Sequence, residues 1–63
     1  MTPNTATLTL NRHDQDLTVT LVHKGSWHIN GAIQEDGSAA TLTATEAAVV
    51  MARAAAGEDE TGR

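Results

Sequence analysis

Residues 17–22 read Leu-Thr-Val-Thr-Leu-Val, an alternation of apolar and polar side chains with a period of two. Successive side chains of a strand point to opposite faces of a sheet, so this pattern is typical of a half-buried β-strand. Residues 5–11, Thr-Ala-Thr-Leu-Thr-Leu-Asn, show the same alternation and predict an earlier strand with Leu8 and Leu10 on its inner face. The polar residues 12–16 between the two segments predict a turn.

A second hairpin is predicted directly after the strand of residues 17–22. His23-Lys24-Gly25 suits a three-residue loop in which the glycine takes the left-handed conformation. That loop sets Leu21 opposite Trp27 and Val19 opposite Ile29. All four side chains then lie on one face, so the turn and the hydrophobic pattern agree on this register.

Residues 26–34 form the predicted third strand, with Ile33 also on the inner face and Gly31 weakening or bulging the strand. The alternative is a tight turn at Asn30-Gly31, which is a common hairpin dipeptide. We favour the continuous strand, because a turn here would leave two stubs of about three residues, short even for edge strands.

Residues 35–38, Glu-Asp-Gly-Ser, predict a third turn, and residues 39–42 predict a short fourth strand with Leu42 inward. The expected fold is α+β: a four-stranded antiparallel β-meander with one C-terminal α-helix packed on one face (ββββα). We expect residues 1–57 to form this single domain and residues 58–63 to be a flexible acidic tail.

A C-terminal helix is predicted because the spacing of apolar residues changes after Leu42. Thr43-Ala44-Thr45-Glu46 matches a capping box, in which the threonine hydroxyl and the glutamate carboxylate each accept a bond from the other residue's backbone N–H. Residues 44–56 are strong helix formers, and Gly57 is a natural C-terminal stop. The apolar stripe comprises Ala47, Val50, Met51 and Ala54.

The amino-acid composition excludes or disfavours several classes of function. The chain has 63 residues, eight acidic against four basic residues, no cysteine, and Trp27 as its one aromatic residue apart from histidine. Disulfides and thiolate metal sites are therefore excluded, and direct nucleic-acid binding is disfavoured because it needs clustered Lys and Arg. No apolar run spans a bilayer and no leader is recognisable, so we expect a cytoplasmic protein without a membrane partner.

Catalysis is not expected. A domain this small leaves little room for a cavity of several hundred Å³, the usual scale of a ligand pocket. The segment His13-Asp14-Gln15-Asp16 is the one cluster with metal-ligand side chains, but it lacks a calcium-loop pattern and a second ligand pair. We interpret it as a solvated turn and expect no cofactor and no metal.

Seven of the eight acidic residues are predicted to converge at one end of the molecule. In a four-stranded meander the first and third turns share an end of the sheet, and a helix that begins at the opposite end returns the tail to them over about 20 Å. Such a pole steers association with basic surfaces, although solvated acids in turns and tails are also an ordinary surface feature. The predicted partner-binding residues are Asp14, Asp16, Glu35, Asp36, Glu58, Asp59 and Glu60.

In its size, its net charge of −4 and its acidic turns and tail, the chain resembles small phage-encoded inhibitors of the anti-CRISPR type. The resemblance implies a non-catalytic inhibitor or adaptor, with a DNA mimic as one form, acting in the host cell cytoplasm. Its partner would be a basic surface of a nucleic-acid-handling protein such as a CRISPR effector subunit, whose access to nucleic acid it blocks.

The alternative function is a structural, self-associating module. The outer sheet face is neutral and rich in threonine, and an edge strand offers unpaired backbone groups, so a homodimer could form through either. A monomer and a homodimer both remain open at this point.

Overall fold

The computed structural model describes residues 4–58, and within them a three-stranded antiparallel sheet is covered on one face by a single helix. The strands are β1 (Thr5–Arg12), β2 (Gln15–Lys24) and β3 (Ser26–Ile33), and the helix is α1 (Ala44–Ala55). The strand order β1-β2-β3 makes β2 the central strand. β1 and β3 are therefore the two edges of the sheet.

The first hairpin is longer and its turn is tighter than the sequence predicted. Arg12 pairs with Gln15, so only His13 and Asp14 form the turn. Their φ angles of 53° and 63° are both positive, as a two-residue hairpin turn with the strand-matching twist requires. The buried residues of these two strands alternate as expected: Ala6 and Leu8 in β1, and Leu17, Val19 and Leu21 in β2.

The predicted register of the second hairpin is wrong by two residues. His23 pairs with Trp27 and Leu21 pairs with Ile29, because Gly25 alone reverses the chain, with a φ of +75°. A residue without a Cβ can adopt this conformation freely. The tighter turn adds a cross-strand aromatic pair, with the rings of His23 and Trp27 edge to face at 5.2 Å.

A bulge in β3 overturns the prediction that Ile33 faces the core. Leu21 pairs with Ile29 but Thr20 pairs with Gly31, so Asn30 is an extra residue without a partner in β2. One inserted residue exchanges the two faces of a strand beyond it. Ala32 is consequently buried, while Ile33 is 44% exposed on the outer face.

The fourth strand predicted for residues 39–42 does not form in the structure. Ala39 makes one isolated bridge to Ile33, and the N–H of Ala40 donates to the C=O of Ala32 at 2.9 Å. Alanine has little preference for strands, and the next carbonyl, that of Thr41, accepts from the Arg12 side chain at 2.9 Å instead of from a neighbouring strand. The chain therefore leaves the sheet edge after two residues.

The predicted capping box of α1 is confirmed. The N–H of Glu46 donates to Thr43 Oγ1 at 3.1 Å, and the N–H of Thr43 donates to Glu46 Oε1 at 2.9 Å. Val50 and Ala54 are the buried residues of the helix, and Gly57, with a φ of +95°, follows its last turn. No helix within residues 4–58 has the length and apolar character needed to cross a bilayer.

The direction of the helix differs from the prediction. Glu46, in the first turn of α1, bonds to Arg12 beside the first hairpin turn, whereas Ala52 and Ala55 lie near His23 and Trp27 beside the second. Because no fourth strand carries the chain to the far end of the sheet, α1 begins at the end where the first turn lies. Its twelve residues then lead away from that end over about 18 Å.

Candidate protein-binding site

Backbone geometry presents Asp14 to solvent at the tip of the first hairpin. The residue is exposed and takes a positive φ of 63°, a conformation in which Asp is several-fold enriched among non-glycine residues. Its place in a two-residue turn leaves its side chain outside the sheet ladder. This is the first of four carboxylates that the fold brings to one end of the molecule.

Asp16 and Glu35 are brought together by a direct hydrogen bond. The backbone N–H of Asp16 donates to Glu35 Oε2 at 2.7 Å. Thr18, two residues further along β2, pairs with Ile33, the last residue of β3, so the Glu35 carboxylate continues the ladder where β3 has ended. The Asp16 carboxylate is oriented in turn by the side-chain amide of Asn11, which donates to its Oδ1 at 3.1 Å.

Asp36 is held in the turn that follows β3. Its Oδ1 accepts from the hydroxyl of Ser38 at 2.6 Å and from the backbone N–H of Ser38 at 2.9 Å. Both bonds lower the pKa of Asp36 from its ordinary value of 3.8, and the bond from the Ser38 hydroxyl is the larger cause. Hydrogen bonds to an ionised carboxylate favour the charged form, so Asp36 keeps its negative charge at neutral pH.

These four residues, Asp14, Asp16, Glu35 and Asp36, are called the acidic end below. All four are exposed, so their carboxylates are accessible to a partner without a change of fold. Three of them, Asp16, Glu35 and Asp36, are oriented by hydrogen bonds of 3.1, 2.7 and 2.6 Å. A carboxylate that is already oriented loses less conformational freedom on binding than a free side chain.

The arginines of β1 and α1 pair with other carboxylates. Arg12 Nη1 lies 2.9 Å from Glu46 Oε1, and Arg53 Nε lies 3.1 Å from Glu58 Oε1. These are the two ion pairs within residues 4–58, and neither involves the acidic end. The negative potential of the acidic end is therefore not cancelled by an ion pair in the described part of the chain.

Glu46 connects the helix cap to the sheet through one oxygen atom. Its Oε1 accepts from the N–H of Thr43 and from Arg12 Nη1, each at 2.9 Å. The backbone bond from Thr43 is the largest cause that lowers the pKa of Glu46 below its ordinary value of 4.5, and the charge of Arg12 lowers it further, while desolvation opposes both. The start of α1 is thereby tied to the strand that leads into the acidic end.

Of the remaining three predicted partner-binding residues, the one that the structure describes, Glu58, does not join the acidic end. Glu58 is bound to Arg53 after the last turn of α1, about one helix length away from Glu46. Asp59 and Glu60 lie outside the described residues, as does most of the predicted tail of residues 58–63. The expected convergence depended on a helix that runs back toward the first turn, and α1 runs the other way.

A groove of about 480 Å³ lies at the other end of the molecule, contrary to the expectation that the domain leaves little room for a cavity. It runs between the second hairpin and the C-terminal half of α1, and it is largely open to solvent. Most of its lining is apolar. The groove stays open because the side chains of Ala52 and Ala55 are too small to fill the space beside Trp27. The residues that line it are His23, Ser26, Trp27, Met51, Ala52 and Ala55.

The sequence carried a partial signal for this groove. Trp27 was expected on the inner face, and it packs against the core there, but both Trp27 and Met51 are only partly buried, whereas Val50 is fully buried. The alanine-rich helix predicts a close approach to the sheet, and it does not predict where the covering ends. Register and helix direction, both missed from the sequence, decide that.

Among residues 4–58 no group of three or more His, Asp or Glu side chains is arranged to hold a metal ion. Comparison of the chain with protein-family models, with curated proteins and with solved structures finds no match. Function is therefore inferred from the geometry of the acidic end.

Proposed function

We propose that this protein is a non-catalytic inhibitor or adaptor that docks its acidic end onto a basic protein surface and blocks nucleic-acid access there. The observation that carries the proposal is the 2.7 Å bond between the N–H of Asp16 and Glu35 Oε2. It joins the first turn to the turn after β3, so that carboxylates from two separate segments form one negative surface.

The arrangement suits recognition of a basic groove that normally holds nucleic acid. Oriented carboxylates at a protein surface attract the same Lys and Arg clusters that bind phosphates. The exposed positions of all four side chains favour docking over chemistry in a cavity. A nucleic-acid-handling complex, with a CRISPR effector subunit as one example, is the class of partner that this chemistry fits.

The test compares two variants of equal net charge. One replaces Asp14, Asp16 and Asp36 with Asn and keeps Glu35, which holds the two turns together. The other replaces Glu58, Asp59 and Glu60 with Gln, Asn and Gln. Each removes three negative charges, and the second variant leaves the whole acidic end intact.

The readout is capture from the host lysate on the immobilised protein, followed by affinity measurements on the captured subunit across a salt series. We expect the first variant to lose affinity and salt dependence, the second to bind like the original, and duplex DNA to compete with the original protein. Equal losses in both variants would reduce the effect to net charge. Undiminished binding by the first variant would overturn the proposal.

A further inference from the structure

The outer edge of β3 offers backbone groups for pairing near the second hairpin. The N–H of His23 donates to the C=O of Asn4, so the backbone groups of His23 point toward β1. Backbone groups of successive residues in a strand point in opposite directions, so those of Val22 point toward its partner in β3, His28. The N–H and C=O groups of Trp27 and Ile29 then point away from the sheet. The turn and loop hydrogen bonds of residues 4–58 include none to these four groups.

The two edges of the sheet are protected differently. On β1, Arg53 reaches over the edge and its Nη1 donates to the C=O of Thr9 at 2.9 Å, which places a charged side chain where natural sheets often carry one. On β3, Ala40 covers only the far part, through its bond to Ala32. β3 itself, Ser-Trp-His-Ile-Asn-Gly-Ala-Ile, contains no Asp, Glu, Lys or Arg.

We propose that β3 pairs with β3 of a second copy, antiparallel and centred on His28, to give a six-stranded sheet across the dimer. Trp27 of one copy then lies opposite Ile29 of the other, and each such pair exchanges two backbone hydrogen bonds. The arrangement is self-complementary under a two-fold axis, as a closed dimer requires. It is a property of the edge, separate from the function proposed for the acidic end.

The groove and the charge distribution both favour a second copy as the occupant of this edge. Ile29 of the second copy lies beside Trp27, which lines the groove, so apolar side chains continue across the junction. Glu35 and its neighbours in the acidic end follow the opposite end of β3. Antiparallel pairing therefore holds the two acidic ends apart by more than the screening length of about 10 Å at 0.1 M salt.

The first test measures the mass of the protein in solution and places a charge at the centre of the junction. Sedimentation equilibrium of the original chain is expected to show a concentration-dependent rise from 6.6 kDa toward twice that mass. His28→Lys sets two like charges directly opposite each other in the dimer, and we expect it to weaken association about fivefold or more.

The matched control is Thr18→Lys, which adds the same charge to the same outer face but on the central strand, where Thr18 is exposed. We expect this variant to associate like the original chain. A mass of 6.6 kDa at all concentrations for the original chain would overturn the proposal. So would equal weakening by both variants, or association that His28→Lys leaves unchanged.

A second measurement needs no variant. Amide hydrogen exchange of Trp27 and Ile29 should slow as the protein concentration rises, because their N–H groups become bonded in the dimer. The N–H groups of Ser26 and His28 face β2 and should exchange slowly at every concentration, which provides an internal control. Concentration-independent exchange at Trp27 and Ile29 would assign any dimer to another surface and overturn the inference.

Discussion

The two ends of the molecule are stabilised by different interactions. At the end of the first turn, polar side chains bond across elements: Glu35 to the backbone of Asp16 within the acidic end, and Arg12 to Glu46 beside it. At the groove, the contacts are those of Trp27 with His23 and with a helix face of small residues. A chain of 63 residues can thus order one surface through hydrogen bonds while its other end stays open and apolar.

The largest expected effect separates the well-packed core from the open groove. Leu17 lies beneath the first hairpin and is 1% exposed. Leu17→Ala should lower the free energy of unfolding of the protein by about 3 kcal/mol. Met51 is half-buried in the wall of the groove. Met51→Ala should lower the free energy of unfolding by about 1 kcal/mol. Urea unfolding followed by Trp27 fluorescence measures both.

Equal losses for Leu17→Ala and Met51→Ala would mean that the groove is as tightly packed as the core, which would remove the distinction between the two ends. The slope of the free energy against urea should stay the same for both variants. A changed slope would indicate that a variant alters the unfolded state rather than the packing alone.

A smaller effect is expected from acidification, and it should act through Glu46 at the start of α1 and through Asp36 in the acidic end. Because the pKa of Glu46 is below its ordinary value of 4.5 in the folded chain, the unfolded chain binds more protons in that range. The stabilisation is fully present above pH 4.5 and is lost as the pH falls through the lower folded pKa. The pKa of Asp36 is also lowered, from 3.8, so its contribution to stability is lost in the same way as the pH falls below 3.8.

Thermal unfolding of the original chain and of Glu46→Gln over a pH series isolates the contribution of Glu46. Gln can still accept the capping bond from Thr43, so the variant removes mainly the charge. The difference in Tm should be largest near neutral pH and shrink toward zero as the pH falls below 4.5. A difference that is constant with pH would show that the charge of Glu46 does not stabilise the fold.

Local patterns predicted the parts of the fold that depend on neighbouring residues. The alternation of residues 17–22 and the capping box at Thr43 and Glu46 were confirmed. The meeting of Asp16 with Glu35 was also predicted, because adjacent hairpins of a meander put alternate turns at one end. The first two features require only the period of the side chains and the chemistry of a cap. The third, between residues 19 positions apart, also requires the up-and-down order of the strands.

The parts that failed depend on competition between local and distant contacts. The fourth strand was lost because Arg12, from β1, takes the C=O of Thr41, a contact between residues 29 positions apart that no periodicity shows. Ile33 was assigned to the core because the pattern does not reveal where Asn30 is inserted as a bulge. The wrong helix direction, and the misplacement of Glu58 with it, followed from the missing strand.

The environment of the Asp16 amide proton reports directly on whether the first turn and the turn after β3 are joined. If the Glu35 carboxylate accepts this N–H, NMR spectra should show a nuclear Overhauser effect between the amide proton and the Glu35 side chain. At neutral pH the amide proton should also lie further downfield in the original chain than in Glu35→Gln, because a carboxylate is a stronger acceptor than a neutral amide. An Asp16 amide that shows neither the contact nor any response to Glu35→Gln would contradict the joining of the two turns on which the acidic end depends.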